Sequence, residues 1–234
     1  KYPSSIQRET CKIMPNILLL TGPQGSGNHL FSKALSMHDD VSGWDDLLRE
    51  YWINHDAAPF KDIWSKPDTI KDYDWTTNDN WLLSVSGPYV DIIDGKRHTV
   101  YPNYKEVIVE LNKVGNVQVG IIGRDQNIMA QGQLRKRGVE SYHNFLNKVD
   151  DLTSHPHVFL SVELLYLFRH QYLKSLDALL NIPVNASDER LHYILNKDPN
   201  AKYVHYVEHS WLDKRKRDGL LNDDSIPHDE AKAK

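Results

Sequence analysis

Apolar residues along this chain fall into short runs with two different periods, and the alternation of those periods sets the expected architecture. Residues 17–21 (Ile-Leu-Leu-Leu-Thr) form a nearly unbroken apolar run between Pro15 and Gly22-Pro23, which suits a strand buried on both faces. From Asn28 to Met37 the spacing changes, and Leu30, Phe31, Ala34 and Leu35 recur as on one face of a helix. Trp81 to Ser86 reads as a second strand, with Gly95 closing a turn inside Val90 to Val100. Tyr104 to Lys113 reads as a helix stopped by Gly115, and Val117 to Gly123 as the next strand. Helices are expected over 127–137 and 140–152, then a strand from Val158 to Val162 and a long helix from Leu164 to Leu180, halted before Pro183. Residues 187–212 are expected to be helical, with Ser187 as the N-cap. Strands alternating with helices imply a three-layer α/β fold around a central parallel sheet.

The region from about 40 to 80 breaks this alternation. Five of the six tryptophans (Trp44, Trp52, Trp64, Trp75 and Trp81) fall between 44 and 81 among acidic residues, so an irregular insertion with short helices is expected there. Its rings serve either as core or as aromatic faces for a sugar or other small acceptor. Residues 1–212 are read as one domain carrying this insertion, and 213–234 as a highly charged tail.

Composition narrows the function classes. A hydrophobic share of 40% with 26% charged residues is that of a folded globular chain rather than a disordered one. The run from Ile17 to Leu20 is too short for a membrane span or a signal-peptide core. The single cysteine, Cys11, cannot form an internal disulfide, which fits a reducing compartment, and the chain is read as cytoplasmic. A net charge of −4 argues against extended nucleic acid as a partner, since basic patches are confined to Arg135–Arg137 and Lys214–Arg217.

The candidate chemistry lies in Gly22-Pro23-Gln24-Gly25-Ser26-Gly27-Asn28, a glycine-rich loop between the first strand and the first helix. Glycines permit positive φ and let backbone amides crowd toward an anion, while a helix N-terminus complements its charge. The loop lacks the Lys-Ser/Thr pair of a Walker A motif, because Asn28-His29 follows Gly27. That places a nucleotide kinase or NTPase behind other readings. A GxGxxG dinucleotide fingerprint fails at position 30, which is leucine.

Three stretches, in order, resemble the sulfotransferase family, which binds the sulfate donor 3′-phosphoadenosine 5′-phosphosulfate (PAPS) on a P-loop NTPase-like fold. Ser26-Gly27-Asn28-His29 resembles the family's 5′-phosphosulfate loop. Ile121-Ile122-Gly123-Arg124-Asp125 resembles its 3′-phosphate motif, a strand ending in Arg-Asp or Arg-Asn. Val158 to Leu165, with the later Leu179-Leu180-Asn181-Ile182-Pro183, is similar to the family's strand, acidic turn and Leu-Pro helix ending. The resemblance spans about 15–185 and implies PAPS as cosubstrate, with Gly25, Ser26, Gly27, Asn28, His29, Arg124, Gln131, Lys214 and Arg215 as donor-binding residues. His29 and Arg124 would be the catalytic pair, and the acceptor a small molecule or glycan offering a hydroxyl or amine. The chain departs from the family at two places: Gly25 stands where a Lys or Arg usually precedes Ser-Gly, and Gly132 stands where a serine usually follows the arginine by eight residues. A non-catalytic nucleotide-binding or assembly protein on the same fold is the alternative.

Other constellations are weaker. The end of the second strand, Ser84 to Pro88, holds no titratable residue, leaving His29, Asp91 and His98 as candidate bases for an acceptor hydroxyl. His205-Tyr206-Val207-Glu208-His209 matches an inverted zinc-peptidase pattern without a third ligand, and a surface helix explains it as well. Glu163 is read as a loop-orienting carboxylate rather than a catalytic one.

Overall fold

The computed structural model describes residues 14–43, 60–137 and 141–196, with 213, 214 and 217 as isolated further positions. Five strands form one parallel sheet: β1 (Asn16–Pro23), β2 (Val41–Ser42), β3 (Asn80–Gly87), β6 (Asn116–Gly123) and β7 (His157–Ser161), in the order β2-β3-β1-β6-β7. Between β3 and β6 the chain makes an antiparallel hairpin, β4 (Tyr89–Ile93) and β5 (Lys96–Val100). Asp94 and Gly95 both carry positive φ at its turn, as a tight two-residue hairpin requires.

Alternation along the strands sorts the core into two layers. Leu18 and Leu20 of β1 face one side with Leu82, Ile122 and Leu160, where α1 (Asn28–Leu35), α6 (Val162–Phe168), α7 (His170–Asp177) and α8 (Leu191–Leu195) bring Phe31, Leu165, Leu173 and Leu191. Ile17 and Leu19 face the other side with Leu83, Val85, Val119 and Ile121. There α2 (Tyr104–Leu111), α4 (Tyr142–Leu146) and α5 (Val149–Thr153) supply Tyr104, Val107, Phe145 and Leu152. The result is the three-layer architecture with a central parallel sheet that the strand–helix alternation predicts.

Three helix boundaries differ from expectation. The segment read as a helix over 140–152 is two short helices, because Lys148 N–H reaches back to Phe145 O in a tighter turn. The long helix expected from Leu164 to Leu180 is broken at Arg169, whose φ of 46° and ψ of −117° are not helical. Ladder bonds persist on both sides of the break, from Arg169 N–H to Leu165 O and from Leu173 N–H to Arg169 O, and the Arg169 guanidinium binds Asn196 Oδ1 at 3.1 Å. The later helix begins after Arg190 rather than at Ser187, with the Asp188 carboxylate accepting Arg190 N–H at 2.9 Å. Its expected continuation over 197–212 lies outside the described residues.

Of the tryptophan-rich insertion, residues 44–59 lie outside the described residues, Trp44 and Trp52 among them. Trp64 and Trp75 are buried, and Trp75 Nε1 donates to Ile70 O at 2.7 Å. Phe60 stacks on Trp75 and Trp81 packs edge-on against it, so these rings extend the second core layer. That settles the core role over the acceptor role for Trp64 and Trp75. At the opposite edge of the sheet from the glycine loop, the Asn181 amide bridges the starts of two strands, donating to Ile17 O at 3.2 Å and Asn116 O at 2.8 Å. Asn181 N–H also donates to Gln118 Oε1.

Candidate functional site

In an open parallel sheet the loops that leave adjacent strands in opposite directions open a crevice at the carboxyl edge. Here β1 leads over β3 to β2 while its neighbour β6 leads the other way to β7, so the crevice lies between the ends of β1 and β6. The glycine loop leaves the first of these strands and Arg124 the second.

The three glycines of the loop answer three different demands. A side chain at Gly22 would put a Cβ 2.5 Å from Ser26 Oγ and 2.6 Å from Ile122 O, because the loop packs directly on β6. Gly27 has φ 101° and forms the N-cap of α1, and a Cβ there would lie 2.6 Å from Val162 Cγ2 at the start of α6. Gly25 has φ 88° but nothing within 4 Å of where its Cβ would be, and it is exposed at the tip.

Ser26 and Asn28 are buried and turned into the protein. Ser26 N–H closes the loop on Pro23 O at 3.0 Å, and its hydroxyl donates to Asn28 Oδ1 at 3.1 Å. Asn28 Nδ2 then donates to Val85 O at 2.9 Å and to Ser86 Oγ at 3.1 Å, tying the loop to the end of β3. These two side chains build the loop, which leaves backbone amides and neighbouring elements as the groups that could meet a ligand there. Gly27 brings no side-chain cap to α1, and the first-turn amides of any helix stand outside its own hydrogen-bond ladder. His29 is half-buried in that first turn.

Arg124 and the loop are brought together. Its Nη1 donates to Gly25 O at 2.8 Å, across 99 positions of sequence. The backbone beside Arg124 is held from two directions: Asp125 N–H donates to Glu163 Oε1 at 2.9 Å, and Asp125 Oδ1 caps α3 (Gln126–Arg137) by accepting Ile128 N–H at 3.0 Å. Glu163 Oε2 also accepts the Ser161 hydroxyl, so the carboxylate orients the two turns, as read from the sequence.

A second clamp on the loop comes from Gln133. It is buried on α3, with Nε2 donating to Gln24 O at 2.7 Å and Oε1 accepting Ser141 N–H at 2.6 Å and Tyr142 N–H at 3.1 Å. No motif flags it; its signal was its place on the helix that follows Arg124. Gln131 and Gly132 are half-buried on the same helix. Beneath the loop, the fully buried Tyr104 hydroxyl is 2.7 Å from Thr21 Oγ1 at the end of β1, and burial pushes the phenol well above its ordinary value near 10 despite that hydrogen bond.

Asp91 and His98 are cross-strand partners on the β4–β5 hairpin, with His98 exposed. Lys214 is exposed, while Arg215 and the His205–His209 motif lie outside the described residues, as does Cys11. Among the described residues no group of three or more His, Cys, Asp or Glu could hold a metal ion, and no helix is long and apolar enough to cross a membrane.

The chain is similar to two solved sulfotransferase structures. One is mouse sulfotransferase SULT7A1 in complex with PAP, at a TM-score of 0.40 and 15% identity over 77% of this chain. The chain spans 63% of the length of that protein. The other is the sulfotransferase domain of the Synechococcus PCC 7002 olefin synthase, at a TM-score of 0.44 and 11% identity, covering 85% of this chain and 84% of that one. No family model and no curated protein sequence matches the chain. Residue roles therefore rest on this chain's own geometry.

Proposed function

We propose that the crevice binds the phosphosulfate end of PAPS and that the chain is a sulfotransferase acting on a hydroxyl or amine acceptor of a small molecule or glycan. The observation that carries this reading is the contact of Arg124 with Gly25: it puts a guanidinium beside an uncapped helix N-terminus and a glycine loop, three anion-complementing features at one strand edge. The residues fit such a ligand, since the loop tip at Gly25 is exposed and has open space around it. In the transfer, an acceptor oxygen or nitrogen bonds to sulfur while the bond from sulfur to the phosphate oxygen breaks, leaving adenosine 3′,5′-bisphosphate and a proton for a base to take. His29, in the first turn beside the loop, is the residue assigned to stabilise the departing charge together with Arg124.

A second reading, a nucleotide-binding protein without catalysis, is favoured by the absence of any Lys or Arg within Gly22 to Asn28. Calorimetry and thermal shift against PAPS, adenosine 3′,5′-bisphosphate, ATP, GTP and sulfate, followed by labelled-PAPS transfer to an acceptor panel with wild-type protein and His29→Ala, separate the two. PAPS binding with turnover that falls in His29→Ala is expected. Binding without turnover selects the second reading, and binding of ATP or GTP but not of either adenosine 3′-phosphate ligand overturns the first.

A further inference from the structure

Polar residues cluster in the connection from α7 to α8, and the fold gathers part of them into a cleft. His170 at the start of α7, Ser187, Asp188 and Glu189 in the connection, and His192 and Tyr193 on α8 line an open space of about 390 Å³. That is within the size range of small-molecule sites. None of the six belongs to the glycine loop or to the ends of β1 and β6.

Hydrogen bonds fix what each group can still offer. His170 Nδ1 lies 2.7 Å from Ala186 O, which only accepts, so Nδ1 carries the proton and Nε2 of the neutral ring keeps a lone pair. Asn196 Oδ1 accepts from the Arg169 guanidinium, so the amide turns its NH2 toward His192 Nε2, 2.6 Å away. His192 Nε2 is then the acceptor and Nδ1 carries the proton. Asp188 is fully engaged: Arg190 N–H and Nε donate to Oδ1 and Nη2 to Oδ2, and these bonds hold the carboxyl below its ordinary range. Glu189 is exposed and, among the described residues, its carboxylate forms no hydrogen bond or ion pair. Tyr193 is 79% exposed, with its ring edge-on to His192 at 6.3 Å. Among the lining residues the charge that the fold leaves unmatched is therefore negative, and it shares the cleft with an imidazole lone pair and an open aromatic ring.

We infer that this cleft is a binding site for an organic ammonium group, received by the Glu189 carboxylate, His170 Nε2 and the ring of Tyr193. An ammonium donates up to three hydrogen bonds and accepts none, which complements the two acceptors, and it is attracted to the face of an aromatic ring. An anion would meet an unmatched carboxylate, and a neutral polyol would leave that charge as it is. The space exceeds what the ammonium itself fills and leaves room for the carbon skeleton of a diamine or an amino sugar. The inference stands apart from the reading of the crevice.

The bonds to Ala186 O and Asn196 could serve only to fasten the break at Arg169 to α8, so the test reads the histidine rings and the charge separately. Proton–nitrogen spectra of the rings, assigned with His170→Gln and His192→Gln, follow titrations with cadaverine and its neutral counterpart 1,5-pentanediol, with glucosamine and glucose, and with Nα-acetyl-lysine amide. We expect saturable shifts of the His170 ring with the amines at roughly millimolar dissociation constants, about three- to tenfold tighter than with the matched alcohol and sugar, weakening at high salt. Either order of cadaverine and the capped lysine supports the site, and the order tells whether a free amine or a lysine side chain is the better occupant. Glu189→Gln, at an exposed position, should lose the preference for amines, and Tyr193→Leu should weaken them by about two- to fivefold. Equal affinity for amines and their neutral counterparts, a preference retained in Glu189→Gln, or no saturable shift with any probe overturns the inference. Adenosine 3′,5′-bisphosphate is titrated in parallel as the probe of the crevice, and its failure to bind bears on the proposed function alone.

Discussion

Gly25 and Gly27 are two residues apart and both lie in the left-handed region, yet alanine should affect them very differently. Alanine at Gly25 meets no atom within 4 Å, so its cost is the backbone strain alone, about 1–2 kcal/mol. Alanine at Gly27 carries the same strain and also places its Cβ 2.6 Å from Val162 Cγ2, where two carbons prefer roughly 3.5–4.0 Å. Val162 is fully buried at the first position of α6, among Leu160, Leu165 and Phe31, and has little room to retreat. Overpacking of this kind costs about 1–3 kcal/mol, so Gly27→Ala should destabilise by about 2–5 kcal/mol in total, a large part of the ~5–15 kcal/mol that holds a domain folded. Urea unfolding of both variants should give a difference of about 1–3 kcal/mol between them. The Val162→Ala background supplies a control, because without Cγ2 the Gly27→Ala penalty should shrink to that of Gly25→Ala, a coupling of about 1–3 kcal/mol. Equal destabilisation at the two glycines, or strict additivity with Val162→Ala, would refute the contact as the reason for Gly27. The same numbers mean that loss of ligand binding on placing valine at Gly27 reports folding as much as the site.

Tyr104→Phe should cost about 1–3 kcal/mol by leaving the buried Thr21 hydroxyl without its partner, measured by urea unfolding. Because burial raises the Tyr104 phenol, its contribution is complete below the ordinary tyrosine value near 10 and declines as pH rises through the raised value, so wild-type stability should fall at alkaline pH and the Phe variant should lack that component. Gln133→Glu should set a carboxylate oxygen against Gln24 O where an N–H now donates, loosening the glycine loop; hydrogen exchange at Ser141 and Tyr142, whose amides the retained oxygens still accept, should stay slow while the amides of the loop exchange faster. Equal acceleration at both places would mean that Gln133 acts on α4 and the loop as one unit.

The strands were legible because burial on both faces leaves a near-continuous apolar run, as in Ile17 to Leu20 and Val117 to Ile122, and the glycine loop because its composition is local. The helix breaks were not. Nothing in the sequence around Arg169 distinguishes it from a helical residue, and the buried Leu165 and Leu173 stand on either side of the break. Within the site, Gly25, Gly27 and Arg124 were visible as residues to watch, but their division of labour was not. Spacing along the chain cannot tell an open Cβ position from one pressed against Val162, nor reveal that Ser26 and Asn28 spend their polar groups on the loop and β3. The clamping role of Gln133 was the least legible, since a glutamine on a helix carries no signal until the carbonyl and amides it joins have been brought together by the fold.

The Asn181 bridge between Ile17 O and Asn116 O has a mechanical meaning. It staples the end of the sheet farthest from the glycine loop, and from there the ladder between β1 and β6 runs rung by rung from Asn16–Asn116 to Thr21–Ile121. The glycine loop and Arg124 are the first segments past that last rung, and there a side-chain hydrogen bond from Arg124 to Gly25 O takes over from the backbone ladder in holding the two strands together.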